Sequence, residues 1–333
     1  MKQERKDKKN EKIQDLTEKL QTGIQELYDS DKYRDYLTTM AKFHHYSFNN
    51  SLLIWAQRPD ATAVAGYRAW QTKFERTVNP GAKGIMIYEP SNFKRTLREV
   101  VKDEDGNPVL DQDGNKVTRA VERTFPSFKV GYVFALEDTS GKPLPSIVSI
   151  IDKDVSNFDS VMDALQKVSP APIRFDSVDG GANGYYDLLK REIVVKDTLP
   201  QAQKIKTAVH EVAHSILHDK IDGLDQDANK REMEVSAESV AFVVCQYFSL
   251  NTSEYSFGYV GSWSAGKELK ELQTKMEIIR STAHTIISGI EAEILKEAIQ
   301  ETETLEQKPM IPELTVTVVQ TEKPHRTISH RRR

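Results

Sequence analysis

The sequence has very little cysteine and no long apolar run. Cys245 is the one cysteine among 333 residues, so an internal disulfide framework is excluded and a reducing cytoplasm is favoured. No apolar stretch approaches the roughly eighteen residues of a membrane span. The highly charged start, Met1 to Lys9, lacks the apolar core of a signal peptide. These absences predict a cytoplasmic protein with no membrane partner.

Positive charge is concentrated near the start of the chain. The net charge is −4, but residues 1–100 hold 18 Lys and Arg against 13 Asp and Glu. A nucleic-acid site is therefore expected within the first hundred residues, and the more acidic remainder is a poor DNA surface.

The order of apolar patterns predicts an α+β fold with two domains. We expect helices followed by an antiparallel sheet in residues 12–137, a linker at 138–147, and a second domain at 148–299. Turn sequences at 105–107 and 111–115 predict a long hairpin arm with an acidic segment at 102–118. Residues 1–11, a basic arm, and 300–333, a charged tail, are expected to be disordered.

The run from His210 to His214 follows the H-E-x-x-H pattern. It lies in a predicted helix at 200–218 whose apolar stripe comprises Ile205, Val209, Val212, Ile216 and Leu217. Positions i and i+4 share one helix face, so two imidazoles can bind one metal ion while Glu211 accepts a proton from its water. The alternative is a pair of core histidines beside the stripe.

A catalytic zinc site needs a third protein ligand and a position open to water. Glu234 and Glu238 are again four residues apart and border an apolar helical segment, where a carboxylate needs a partner. We take Glu234 as the third ligand and Glu238 as the residue that orients His210, although the reverse order also fits. The predicted cofactor is Zn²⁺, bound by His210, His214 and Glu234, with Glu211 as the catalytic base.

Residues 43–88 mix aromatic and basic side chains. This mixture suits single-stranded nucleic acid, because rings stack on bases and cations contact phosphates. The alternative is that most of the aromatic rings are buried in the core. The candidate DNA-binding residues are Arg68, Trp70, Lys73, Arg76, Lys83, Lys94 and Arg95.

Motifs in this stretch resemble the N-terminal domain of the ArdC antirestriction family. They are F-H-x-Y-S-x-N-N at 43–50, L-I-x-x-Q at 53–57, P-x-A-T at 59–62, G-Y-x-x-W-Q at 66–71 and V-x-x-G-x-K-G-I at 78–85. Segments 128–134, 141–145 and 259–263 also match, whereas Pro80 and the 102–118 segment depart from the pattern. The resemblance implies a single-stranded-DNA-binding domain joined to a zincin-like metallopeptidase domain, in a protein that shields conjugative DNA from host restriction.

The predicted helix with His210 and His214 and the helix with Glu234 and Glu238 together resemble the gluzincin arrangement. They also resemble the corresponding helices of the ImmA/IrrE metallopeptidase group. The E-x-x-A-[N/D]-x-F-A pattern of that group reads here as residues 234–241, with Glu238 and Val240 as departures. The leading hypothesis is a DNA-binding zinc peptidase with an unidentified protein or peptide substrate. Gly184–Asp187 or Glu192–Lys196 would hold that peptide as an added strand. The alternatives are a DNA-coating protein with a mainly structural zinc, or a regulatory protease that cleaves a repressor.

Overall fold

The structure is a computed structural model that describes residues 2–144, 157–217, 226–250, 255, 257 and 268–306. Met1–Ile294 form one compact unit and Leu295–Arg333 form a second. Residues 145–147 of the expected linker, the 259–263 motif and the tail after residue 306 lie outside the described residues.

Three helices open the chain: α1 (Lys2–Glu26), α2 (Ser30–Lys42) and α3 (Phe48–Gln57). Since α1 begins at Lys2, residues 2–11 are helical, and the expected disorder is wrong for them. The cause is composition, because Lys, Glu and Gln are good helix formers. The Asp29 carboxylate caps α2 by accepting from the backbone N–H groups of Asp31 and Lys32.

Short strands and one long hairpin follow. The elements are β1 (Val64–Gly66), α4 (Tyr67–Thr72), β2 (Arg76–Val78), β3 (Ile85–Val100), β4 (Thr118–Ala135), a 3-10 turn (Leu136–Asp138) and β5 (Thr139–Gly141). The strand order β1-β4-β3 forms an antiparallel sheet, and β5 pairs separately with β2. Part of the expected 138–147 linker is therefore a strand within the first half of the chain.

The long hairpin has unbroken pairing from Ile85 opposite Val133 to Val100 opposite Thr118. The sequence predicts separate strands at 84–88 and 93–101 on one side and at 116–124 and 130–135 on the other, but the strands continue through Pro90 and Pro126. At the tip, the predicted turns are present. The Asp103 and Asp111 carboxylates each accept two backbone N–H groups, and Gly106 and Gly114 have φ near +84°.

The second half begins with α5 (Asn157–Val168), β6 (Ile173–Asp176), β7 (Gly184–Asp187) and β8 (Glu192–Lys196). It continues with α6 (Gln201–Leu217), α7 (Gln226–Tyr247) and α8 (Leu269–Glu306). The sheet order is β6-β8-β7, with β6 parallel and β7 antiparallel to β8. Because β8 is central, it cannot accept an added peptide strand, and that alternative for Glu192–Lys196 is wrong.

One hydrophobic core joins the helices of both halves. Leu37 of α2 and Leu53 of α3 are fully buried in the same cluster as Val209, Val240 and Ile286. Burying one such side chain stabilises the fold by about 1.5–3 kcal/mol. The two sequence domains are therefore packed as one body over residues 1–294. None of the described helices is long and apolar enough to cross a membrane.

Candidate metal centre

Helix α6 presents His210 and His214 on one side while its apolar stripe is buried on another. Ile205, Val209 and Val212 have no exposed surface, whereas Ile216 near the end of the predicted stripe is 36% exposed. Helix α7 packs against α6 and brings Glu234 to the two imidazoles. The positions of these candidate ligands thus follow from the packing of two helices against each other.

The three predicted ligands converge. The Nε2 atoms of His210 and His214 are 3.0 Å apart, and the Glu234 Oε2 atom lies 3.4 Å from His210 Nε2 and 3.6 Å from His214 Nε2. A tetrahedral zinc with bonds of about 2.0–2.1 Å places its ligand atoms about 3.3 Å apart. The donor set therefore fits such an ion without rearrangement. The Glu234 side chain is 52% exposed, which leaves that side of the site open to solvent.

Glu238 contacts the other nitrogen of the first histidine. Its Oε2 atom lies 3.4 Å from His210 Nδ1, while Nε2 faces His214 and Glu234. A carboxylate on the distal nitrogen holds the ring orientation and tautomer of a metal-binding histidine. Of the two orders left open by the sequence, this geometry favours Glu234 as ligand and Glu238 as the orienting residue.

The charges around the site favour a bound cation. Burial alone would lower the pKa of His210, but hydrogen bonds to Glu234 and Glu238 outweigh burial and raise the pKa to about 9. The same hydrogen bonds from His210 and His214 hold the pKa of Glu234 well below its usual range. Without metal, His210 is thus suited to carry a proton at neutral pH.

Glu211 lies beside the ligands as a nearly buried carboxylate. Only 8% of its surface is exposed, and burial is the main cause that raises its pKa. The backbone N–H of Tyr186 on β7 donates to this carboxylate, a contact that the sequence did not indicate. A carboxylate with a raised pKa is better suited to accept a proton and then donate it.

A cavity of about 360 Å³ opens beside His210 and Glu211. Its walls include Gly184 of β7, Lys206 and Thr207 of α6, and Tyr255. A Cβ at Gly184 would lie 2.6 Å from Thr207 Cγ2 and 2.8 Å from Val194 O, so β7 approaches α6 this closely only with glycine there. Lys206 lies one helical turn before His210 and lines the same cavity. The sequence reasoning missed this residue, although the i, i+4 spacing places it on the same helix face as His210.

Helix α2 supports the helix that carries the carboxylates. The hydroxyl groups of Tyr33 on α2 and Ser239 on α7 lie 2.8 Å apart and are buried. Ser239 follows Glu238 directly, so the first half of the chain packs behind the metal centre. This contact joins residues 206 positions apart, and no local sequence pattern could indicate it.

A second histidine pair lies between the loop after α2 and helix α8. The Nδ1 atoms of His44 and His284 are 2.9 Å apart, and the Arg280 guanidinium donates to the His44 carbonyl. Burial, reinforced by His45, His284 and Arg280, lowers the pKa of His44 to about 4. His44 is therefore suited to remain neutral.

The candidate DNA-binding residues lie in two regions, one from α4 to the start of β3 and the other on the long hairpin. Arg68, Lys73 and Lys83 are exposed around α4 and before β3, and Lys94 and Arg95 are exposed on the long hairpin. Arg76 is engaged in the fold, since its guanidinium donates to Thr139, Gly141 and Lys142. The prediction that Trp70 binds DNA is wrong, because the side chain is 1% exposed and its indole N–H donates to the Phe134 carbonyl.

Two family models match the chain. Residues 4–134 match the N-terminal domain of anti-restriction factor ArdC, and residues 170–254 match the IrrE N-terminal-like domain, a peptidase-family model. An uncharacterized protein of Bacillus anthracis is 23% identical over 314 residues, which cover 85% of this chain and 52% of that protein. The chain thus spans about half the length of that relative.

Two crystal structures of the antirestriction protein ArdC from plasmid R388 are also similar. The metal-free form is 19% identical, with a TM-score of 0.42, and the match covers 77% of this chain and 86% of that one. The Mn(II)-bound form is 18% identical, with a TM-score of 0.41 and coverages of 76% and 85%.

Proposed function

We propose that this ArdC-like chain, in which an ArdC-type N-terminal domain precedes an IrrE-like peptidase domain, is a zinc-dependent peptidase that also binds single-stranded DNA. Its role would be to protect the DNA of a mobile element from host restriction during conjugative transfer, in the cytoplasm. The observation that carries the peptidase half is the convergence of the His210, His214 and Glu234 ligand atoms within 4.8 Å of one another.

The chemistry follows from the positions of these side chains. Zinc in this site would supply a Lewis acid and lower the pKa of water toward about 7. Glu211, buried beside His210, accepts the proton of the attacking water and delivers it to the leaving amine nitrogen. His210, His214 and Glu234 bind the ion, and Glu238 holds the His210 ring in place.

Strand β7 is suited to hold the substrate in an extended form. It lies at the end of the sheet order β6-β8-β7, and its Tyr186 N–H already contacts Glu211. Asn183 and Gly184 line the cavity. A peptide paired to this edge as an added strand would run past His210 and Glu211, which places a backbone carbonyl near the metal.

The peptidase half is tested by Glu211→Gln in the full chain. We expect the variant to bind zinc as wild type does and to lose about 10²–10⁴-fold in cleavage of fluorescein-labelled casein, the range for loss of a general base. Glu104→Gln, at an exposed carboxylate of the hairpin tip, is the control and should cleave as wild type does. Equal cleavage by Glu211→Gln would contradict the mechanism.

The DNA half is supported by the exposed cations Arg68, Lys73 and Lys83 of the ArdC-type domain. Phosphate contacts release counterions, so the affinity for oligo-dT should fall steeply as salt rises. Absence of oligo-dT binding at low salt would contradict this half. Protection of DNA by Glu211→Gln at the wild-type level would instead favour the second candidate, a DNA-coating protein whose zinc is structural.

A further inference from the structure

The outer part of the long hairpin carries an ordered set of aromatic and cationic side chains on one face. Phe93 and Phe125 are opposite each other, and their rings stack with centroids 5.5 Å apart and planes at 23°. Two residues further out, Arg95 is opposite Arg123. Because side chains alternate along strands, both pairs share the face that buries Ile85 and Ile87 nearer the body.

This face is open to solvent. Phe93 is 49% exposed, although phenylalanine is among the residues that are most often buried in folded proteins. The Arg123 side chain pairs with Glu99, whereas the side chains of Arg95 and Arg119 make no hydrogen bond or ion pair with any residue that the structure describes. Two arginines placed directly opposite each other repel, and an anionic ligand would relieve that repulsion.

Charge changes sign along the hairpin. The shaft, residues 91–101 and 119–128, holds five Lys and Arg against two Asp and Glu. The tip, residues 102–118, holds two against five. An anionic polymer would therefore be attracted to the shaft and repelled by the tip, which restricts it to a short stretch from Phe93 to Glu99 of about 20 Å.

We propose that this shaft face binds single-stranded nucleic acid, with an unpaired base stacked on Phe93 and phosphates contacting Arg95, Arg119 and Arg123. The inference rests on the DNA half of the proposed function and assigns that half to a site. A single strand fits better than a duplex, because the faces of paired bases are covered by their neighbours and an exposed ring can stack only on an unpaired base. The acidic tip ends the footprint.

The test measures the affinity of the full chain for fluorescein-labelled oligo-dT by anisotropy at several salt concentrations. Stacking is worth about 1–3 kcal/mol per base, so Phe93→Ala combined with Phe125→Ala should weaken binding about tenfold with an unchanged salt slope. Arg95→Ala combined with Arg123→Ala should weaken binding and flatten the slope, by about 0.7 for each phosphate that the variant no longer neutralises.

Two matched controls lie on the opposite face of the same strands. Phe128 is 63% exposed and Arg98 has no partner among the described residues, so Phe128→Ala and Arg98→Ala should each change the affinity less than twofold. Unchanged thermal unfolding would show that the variants fold. Wild-type affinity in the double phenylalanine variant, or equal binding of a duplex, would overturn this inference alone. No binding by wild type would overturn the DNA half of the proposed function with it.

Discussion

Two histidine pairs in this molecule have nearly the same distance between ring nitrogens and opposite electrostatics. The ring nitrogens are 3.0 Å apart in His210–His214 and 2.9 Å apart in His44–His284. Carboxylates raise the pKa of His210 to about 9, whereas burial and neighbouring cations lower the pKa of His44 to about 4. Proximity of two imidazoles is thus insufficient to make a metal site.

The difference lies in the groups around each pair. Glu234 and Glu238 contact His210 and supply negative charge. Around His44 the neighbours are His45, Arg280 and the Tyr247 ring, and the Glu291 carboxylate is engaged by the Tyr247 hydroxyl. The first pair is suited to bind a cation. The second connects the loop after α2 to helix α8 through hydrogen bonds.

The largest effect on zinc binding is expected from the removal of one metal ligand. His210→Ala should abolish zinc binding at micromolar metal, because the remaining two ligands leave the tetrahedral site incomplete. His44→Ala should keep one zinc per chain and lose about 1–3 kcal/mol of unfolding free energy, the cost of leaving a buried partner unpaired. Metal analysis and urea unfolding check both. Retention of zinc by His210→Ala would show that the first histidine pair is not the zinc site.

Low pH should decrease the stability of the folded protein through His44 of the second pair. In the unfolded chain the pKa of His44 is about 6.5, so above that pH neither state carries the proton. Between pH 6.5 and 4 the unfolded state takes up a proton that the folded state rejects, and stability decreases as the pH falls. At about 1.4 kcal/mol per pKa unit the decrease reaches about 3 kcal/mol.

The measurement is urea unfolding of the metal-free protein between pH 7 and pH 4.5, with His44→Gln as the control. The control removes the titrating group and should flatten the pH slope. The first pair behaves in the opposite sense without metal, because the stability contributed by protonated His210 is present below pH 6.5 and is lost as pH rises through about 9. An identical slope in His44→Gln would contradict this assignment.

A smaller effect is expected when the orienting carboxylate is altered. Glu238→Gln keeps the shape of the side chain but removes its charge beside His210 Nδ1. We expect zinc affinity to fall about 10–100-fold, as for other partners of metal-binding histidines. Competition with a chromophoric chelator measures the change. A loss as complete as that of His210→Ala would indicate that Glu238 is itself a ligand.

The smallest effect on zinc affinity is expected from a change at the buried contact behind the metal centre. Tyr33→Phe removes the hydroxyl that contacts Ser239 and should cost about 0.5–1.5 kcal/mol of stability, the net value of one hydrogen bond. Zinc affinity should change less than threefold, since Glu234 and Glu238 remain on an intact helix. Thermal unfolding and chelator competition check this pair of expectations. An unchanged stability would contradict a structural role for the hydroxyl.

Local patterns predicted the metal helices well, because the i, i+4 spacing of His210 and His214 and the period of the apolar stripe are properties of a single helix. The candidate peptide-binding strands at 184–187 and 192–196 are also present as strands with the predicted bounds. Contacts between distant residues were missed. The burial of Trp70, the position of Tyr186 beside Glu211 and the partner of Tyr33 depend on how separate elements pack, and no local pattern encodes them.

The first residues illustrate the opposite error. Charge and low hydropathy in 1–11 predicted disorder, whereas helix propensity continues α1 back to Lys2. The hairpin shows a third case, since its turns were recognised from Gly106 and Gly114 but the unbroken pairing through two prolines was not. Strand pairing is fixed by the partner strand, so it becomes visible only in three dimensions.

The central claim is that one divalent ion binds at the first histidine pair and none at the second. Anomalous diffraction at the zinc edge, from crystals of the full chain grown with one equivalent of zinc, tests it directly. We expect a single strong peak about 2 Å from His210 Nε2, His214 Nε2 and a Glu234 oxygen. A peak between His44 and His284, or no peak at the Glu234 site, would contradict it.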